Sequence, residues 1–272
     1  MLVTTDFSLE EIHFRRDWHP ADSVGHRCLA RGLSDMAAMG GIPHSAFLSL
    51  ALPPDLPQRW VDDFIRGFLK LARRYSVPLA GGDTAQSPNG ILADIVVLGS
   101  IPQGQAVLRS GARSGDRIYV SGTLGASVAI LQQLRRGKKF WPTTQPRHFY
   151  PDPRIALGQY LREKKLATAM IDTSDGLSTD LRHMCDESRV GATVDAASLP
   201  ALADDEGLQF ALHGGEDYEL LFTAPPGRRV PSKIEGVSIT PIGTITRGRQ
   251  IKLKAPDGKS HPLLPGGWQH FA

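Results

Sequence analysis

Extended segments alternating irregularly with helical ones, a glycine- and arginine-rich break near residues 102–115, and a length of 272 residues together predict a mixed α/β (α+β) protein of two domains. The first domain is expected over 1–108, as a mixed sheet with helices. The second is expected over 109–272, as a sandwich-like α/β unit.

The elements follow in order. Residues 1–5 and 45–52 read as strands, the second (Ser-Ala-Phe-Leu-Ser-Leu-Ala-Leu) almost wholly apolar and so expected to be buried. Between them, residues 20–39 carry Val24, Cys28, Leu29, Leu33 and Met36 at helical spacing, and Gly40-Gly41 supplies the stop. Residues 58–75 form a second amphipathic helix, with Pro57 just before it and Val61, Phe64, Ile65, Phe68 and Leu71 on one stripe. Strands at 77–80 and 91–98 flank an expected loop containing Gly81-Gly82-Asp83-Thr84. The second unit opens with a strand at 117–120, a Ser-Gly-Thr-Leu-Gly turn and a helix over 126–134. Four prolines make 140–153 an irregular connection. A helix (154–163), a strand (167–171), a helix (178–187) and short strands at 218–223, 238–242 and 250–253 complete the prediction.

Composition removes several classes of function. Apolar residues make up 41% and charged residues 22% of the chain, as in a folded soluble protein. No apolar run reaches the length of a membrane span, and no basic stretch leads an apolar one at the N-terminus. Two cysteines cannot build a disulfide framework, which favours a reducing compartment, the cytoplasm. The pI is near 8.9, but the net charge is only +3. The one dense basic run, Arg135-Arg136-Gly137-Lys138-Lys139, reads as a solvated helix end, so neither nucleic acid nor membrane is an expected partner. Phosphate-loop, dinucleotide-fold, zinc-protease and serine-elbow motifs are absent.

What remains is a set of aspartates beside strand ends or in glycine-rich turns: Asp6, Asp35, Asp83, Asp172 and Asp175. Taken singly, an aspartate in such a place is more often a helix cap or an Asx-turn than a ligand. Asp35 is the exception, because it lies mid-helix among apolar neighbours, where a lone carboxylate is costly to bury. If folding gathers them, like charges at close range need a cation, and hard oxygen ligands select magnesium. That donor set fits phosphate chemistry, and the glycines beside Asp83 would admit phosphates to the backbone.

Five segments in order carry a resemblance: Leu33-Ser34-Asp35-Met36-Ala37-Ala38-Met39-Gly40, Gly81-Gly82-Asp83-Thr84, Arg109-Ser110-Gly111-Ala112 with Gly115-Asp116, Ile171-Asp172-Thr173-Ser174-Asp175-Gly176-Leu177, and Gly214-Gly215-Glu216-Asp217-Tyr218-Glu219-Leu220. Over nearly its whole length the chain resembles the thiamine-monophosphate kinase family, in the superfamily of aminoimidazole ribonucleotide synthetase. The last segment and the Trp268-x-x-Phe271 tail point to the thiamine branch. The resemblance implies ATP-dependent phosphorylation of thiamine monophosphate by a homodimer that pairs through its first domain. It implies several magnesium ions held by Thr4, Thr5, Asp6, Asp35, Asp83, Asp172 and Asp175. It also implies ATP contacts from Gly82, Asp83, Arg109 and Ser174, and acceptor contacts from His13, Glu216 and Trp268. Family members normally open with a Gly-Asp-Asp segment that supplies a further metal ligand, and this sequence starts at the strand after it. Two alternatives follow, a nucleotide- or thiamine-phosphate-binding protein without turnover and another ATP-dependent synthetase of the superfamily.

Overall fold

A computed structural model describes residues 1–203 and 206–268. The first sheet is built from β1 (Leu2–Leu9), β2 (Ile42–Leu52), β3 (Leu79–Gln86) and β4 (Leu92–Ser100), in the order β1-β4-β2-β3. One face is covered by α1 (Ala21–Ala38), which also lies against α2 (Gln58–Arg74). Alternation along β4 buries Ala93, Ile95 and Val97 beneath α1 and turns Asp94 to the other face. The two helices approach closely because neither contact point carries a side chain. A Cβ on Gly25 would lie 1.9 Å from the Phe64 carbonyl oxygen, and one on Gly67 only 1.8 Å from that of Asp22.

The second sheet runs β12-β11-β7-β10-β5-β8-β6, with β9 paired to β10. Its strands are β5 (Arg117–Ser121), β6 (Ala169–Asp172), β7 (Gly191–Asp195), β8 (Leu220–Ala224), β9 (Lys233–Ile234), β10 (Val237–Thr246), β11 (Ile251–Lys254) and β12 (Ser260–Pro262). The helices of this half are α3 (Ala126–Arg135), α4 (Pro146–Phe149), α5 (Ile155–Glu163), α6 (Leu177–Ser188) and α7 (Gly207–His213). One apolar cluster joins the halves: Leu29 and Leu33 of α1 and Leu157 and Leu161 of α5 share it with Met170 and Phe222 of the second sheet. A second cluster, including Ile118, Leu181, Val194 and Ile242, lies within the second half.

Three expectations change. β1 runs to Leu9, so Thr4, Thr5 and Asp6 lie inside a strand instead of at its end. Thr4 and Asp6 share the face of buried Ser8, whereas Thr5 shares that of Val3 and Phe7, which are 61% and 52% exposed. Gly81-Gly82-Asp83-Thr84 is strand, not loop, because 79–86 pair in parallel with β2. Gly82 permits it, since a Cβ there would lie 1.8 Å from the Leu48 carbonyl oxygen. The third change is that β7 and α7 were not anticipated. Both are short (five and seven residues), too short for periodicity to stand out.

Candidate active site

Helix α1 threads the junction between the two sheets, and its face toward the second half is polar. Arg27, Arg31, Ser34 and Asp35 succeed one another along little more than two turns, so their side chains reach one side. Ser34 Oγ donates to Asp172 Oδ2 at 2.6 Å, at the end of β6. The Thr4 hydroxyl of β1 donates to the Asp35 carboxylate. Thr4, Asp35, Asp172 and Arg109 line one cavity of about 480 Å³, whose other walls include Met36, Met170 and Leu2.

Electrostatics sets this cavity apart. Burial, and after it the Asp35 charge, push the Asp172 carboxyl up to about 7 against the hydrogen bond from Ser34. Burial raises Asp35 as well, opposed by its bond from Thr4 and by the Arg109 guanidinium. Asp6 is raised too, by burial first, with Arg31 opposing and Asp35 adding. Proteins neutralise such groups by protonation or with a cation. Oxygen donors only, with no histidine or thiol among them, are the set magnesium prefers. Among the described residues no group of three or more His, Cys, Asp or Glu side chains stands ready as a metal shell, so a complete set would draw on phosphate oxygens and water.

After Asp172 the chain enters a turn held from three sides. Thr173 N–H donates to the Glu219 carbonyl at 2.8 Å, and Tyr218 N–H donates to that of Thr173 at 3.0 Å. Glu216 N–H donates to the Ser174 carbonyl at 2.8 Å. The carboxylate of Asp180 accepts from Gly176 N–H at 3.0 Å and Asp175 N–H at 3.3 Å. From the C-terminal side, Trp268 N–H donates to the Asp175 carbonyl at 2.9 Å. The approach needs glycine: a Cβ on Gly267 would lie 2.0 Å from that same carbonyl oxygen, and one on Gly215 2.6 Å from that of Ser174. Ser174, Asp175, Glu216 and the Trp268 main chain are thereby brought side by side.

Glu216 closes the second half of the site. Its two carboxylate oxygens meet Arg27 Nη2 and Arg31 Nη2, each at 2.5 Å. Burial opposes its ionisation, yet the guanidiniums, Arg27 ahead of Arg31, hold it well below the usual carboxylate range. Both Glu216 and Tyr218 adopt left-handed backbone (φ 63° and 52°), a conformation that costs a residue with a side chain about 1 kcal/mol or more. A smaller cavity, about 180 Å³, is lined by His13, Trp18, His19, His148 and Glu216 among others. His13 Nδ1 accepts the Leu9 N–H at 2.9 Å. His19 Nε2 and His148 Nε2 lie 3.0 Å apart, and His148 Nδ1 meets Ser127 Oγ at 3.0 Å.

Not every expected residue gathers here. Asp83 lies on exposed β3 and accepts the N–H of Thr84 at 2.8 Å. Its sheet neighbour is Ser49, which in turn faces Asp94, and Asp94 Oδ1 accepts from Thr5 Oγ1 at 2.9 Å. Thr5, Asp94 and Asp83 thus form a separate acidic row on the face away from α1. Gly82 lies beside that row, Arg109 is exposed at the rim of the larger cavity, and the Trp268 side chain, 46% exposed, is not part of the smaller one's lining. Phe271 lies outside the described residues.

Comparison with known proteins bears on this arrangement. Residues 1–101 match the model of the AIR synthase related protein N-terminal domain, and 113–255 that of the AIR synthase related protein C-terminal domain. The thiamine-monophosphate kinase of Escherichia coli K12 is 39% identical, with 100% of this chain aligned to 87% of that protein. The chain belongs to the thiamine-monophosphate kinase family. The crystal structure of the Stenotrophomonas maltophilia thiamine-monophosphate kinase is 35% identical, with 96% of this chain superposed on 86% of that one at a TM-score of 0.86. A structure described as AaThiL complexed with AMPPCP and TMP is 33% identical, with 99% of this chain superposed on 86% of that one at a TM-score of 0.88.

Sequence reasoning missed Arg27, Arg31, Asp94 and Asp180. The i, i+4 arginines inside a helix that carries a buried apolar stripe were a legible signal, and so was an aspartate in the first turn of α6. Asp94 carried none, because its meaning comes only from strand register.

Proposed function

We propose that this chain transfers the γ-phosphoryl group of ATP to the phosphate of thiamine monophosphate, giving thiamine diphosphate and ADP. Membership of the thiamine-monophosphate kinase family supports the reaction, and AaThiL was solved with AMPPCP and TMP. The observation in this chain that carries it is the turn 172–176. It borders the acidic 480 Å³ cavity on one side and is hydrogen-bonded to the Glu216 segment of the 180 Å³ cavity on the other.

In this reading Arg109, Ser174, Gly82 and Asp83 contact ATP, and His13, Glu216 and Trp268 contact the acceptor. Thr4, Asp6, Asp35, Asp172 and Asp175 are the candidates to hold magnesium beside the larger cavity, the raised Asp35 and Asp172 carboxyls being the observation that fits it, while Thr5 and Asp83 would hold a separate ion on the opposite face of the first sheet. Magnesium bound there would neutralise charge on the phosphate oxygens. The chain itself would hold the two phosphates in line, with Arg109 at the cavity rim available to them, so that positioning and electrostatics would supply most of the rate. The acceptor phosphate is already ionised, so no side chain need take a proton from it.

The coarser features of the reading have their own support. A division between 108 and 109 agrees with the gap between the two family-model matches. A homodimer would cover the outer face of the first sheet, where Val3 and Phe7 are exposed and β3 is an open edge. A cytoplasmic location is favoured by unpaired, buried Cys28 and Cys185; among the described residues no helix is long and apolar enough to cross a membrane.

Incubating the protein with ATP, magnesium and thiamine monophosphate tests the proposal. Stoichiometric ADP and thiamine diphosphate are expected. Binding of both substrates without turnover would replace the kinase reading with that of a binding protein.

A further inference from the structure

Arg27 and Arg31 are buried guanidiniums for which the proposed reaction has no stated use. They are 3% and 7% exposed. Burying such charges gains little over apolar packing of the same volume, so their retention in the core of α1 calls for a role. Arg27 spends one nitrogen on Glu216 and another on the carbonyl oxygen of His148. Arg31 does the same with Glu216 and the carbonyl of Phe7, at 3.0 Å, and lies 3.5 Å from Asp6. Each arginine is therefore anchored to main chain at one end and presents its other end to one carboxylate oxygen.

Glu216 needs that support. Its backbone is left-handed, and the adjacent Gly215 leaves no room for a side chain. One quarter of its side chain remains exposed, beside the cavity lined by His13 and His19. We infer that Arg27 and Arg31 are positioning residues for the acceptor, a fork that keeps the Glu216 carboxylate aimed at this cavity as an anion. A group so held can only accept hydrogen bonds, so the cavity takes a ring that offers N–H donors or positive charge. Two planar guanidiniums do this better than two ammoniums, because each fixes direction as well as charge. The inference rests on the reading that Glu216 contacts the acceptor.

The experiment uses the full chain, with steady-state kinetics and calorimetric titration by thiamine monophosphate. Arg27→Met should raise KM and Kd for thiamine monophosphate about tenfold or more, and leave KM for magnesium-ATP within about twofold. Arg27→Lys should recover part of the loss, and it carries the same test if Arg27→Met fails to fold. In a Glu216→Gln background, Arg27→Met should add less than about twofold, because the arginine acts through that carboxylate. An Arg27→Met effect of equal size in both backgrounds, or equal movement of both KM values, overturns the inference. If Glu216→Gln alone leaves acceptor KM and Kd unchanged, the role of Glu216 fails and the inference fails with it. Absence of thiamine diphosphate with the parent chain would sink the kinase reading separately, since the titrations still report on the fork.

Discussion

Two carboxylates at the junction of the sheets have opposite surroundings. Glu216 meets two buried guanidiniums and is held ionised by them. Asp172 receives a hydroxyl from Ser34, stands within the field of Asp35, and is raised to about 7. The first region carries its counter-ions in the fold and is complete before any ligand arrives. The second has surplus negative charge, which protonation or a bound cation must neutralise. In the proposed reading, acceptor recognition would rest on preorganised hydrogen-bonding groups, whereas the phosphate region would be relieved of its repulsion by the ions and nucleotide it binds.

The sharpest test of this contrast sets activity against stability in one variant. Asp172→Asn is expected to lower thiamine diphosphate formation by about a hundredfold or more. It should also leave thermal stability in metal-free buffer unchanged or higher, since a buried repulsive charge is removed. A large drop in metal-free Tm would break the comparison. Glu216→Gln should do the reverse for stability, costing about 3 kcal/mol in denaturant unfolding because two buried guanidiniums lose their partner. If Glu216→Gln is as stable as the parent chain, the first region is not self-sufficient.

A third variant probes the scaffold that both regions share. Gly67→Ala forces a Cβ to 1.8 Å from the Asp22 carbonyl oxygen, so α1 and α2 must separate. A loss of about 2 kcal/mol is expected, accompanied by weaker binding of both substrates. A change confined to one substrate would show that α1 does not serve the two regions jointly.

The smallest effect concerns pH. Burial lowers His19 to about 4, and burial followed by Arg27 lowers His148 well below its usual value. A histidine with a depressed folded pKa binds fewer protons folded than unfolded. Its stabilisation is therefore complete above about 6.5 and is lost as pH falls toward 4. Between pH 7 and 4.5 the parent chain should lose about 2 kcal/mol through His19, and His148 should add to that loss. His148→Gln should flatten that slope, as followed by Tm at each pH. An unchanged slope would mean the pair does not couple α4 to the residue 10–20 segment.

Much of this was legible in the chain before folding was considered. Val24, Leu29, Leu33 and Met36 mark α1 by their spacing, and α2 is equally plain, because an amphipathic helix writes its buried face into the sequence. The acidic segments were visible as motifs, and their resemblance to one kinase family led to the acceptor and nucleotide. Less legible were elements whose existence depends on a partner. β3 carries two glycines and no apolar alternation, and it is a strand only because β2 lies beside it.

The sequence by itself therefore determined the two-part mixed α/β plan, the helices other than α4 and α7, the family and the residue types able to hold phosphate and metal. Tertiary structure decided which of those residues meet. Strand alternation sent Thr4 and Asp6 toward α1 but Thr5 to the opposite face with Asp94 and Asp83. The fork on Glu216 joins residues 185 and 189 positions apart. Local preference acts over a few residues, whereas charge pairing and strand register depend on distances that only the packed chain sets.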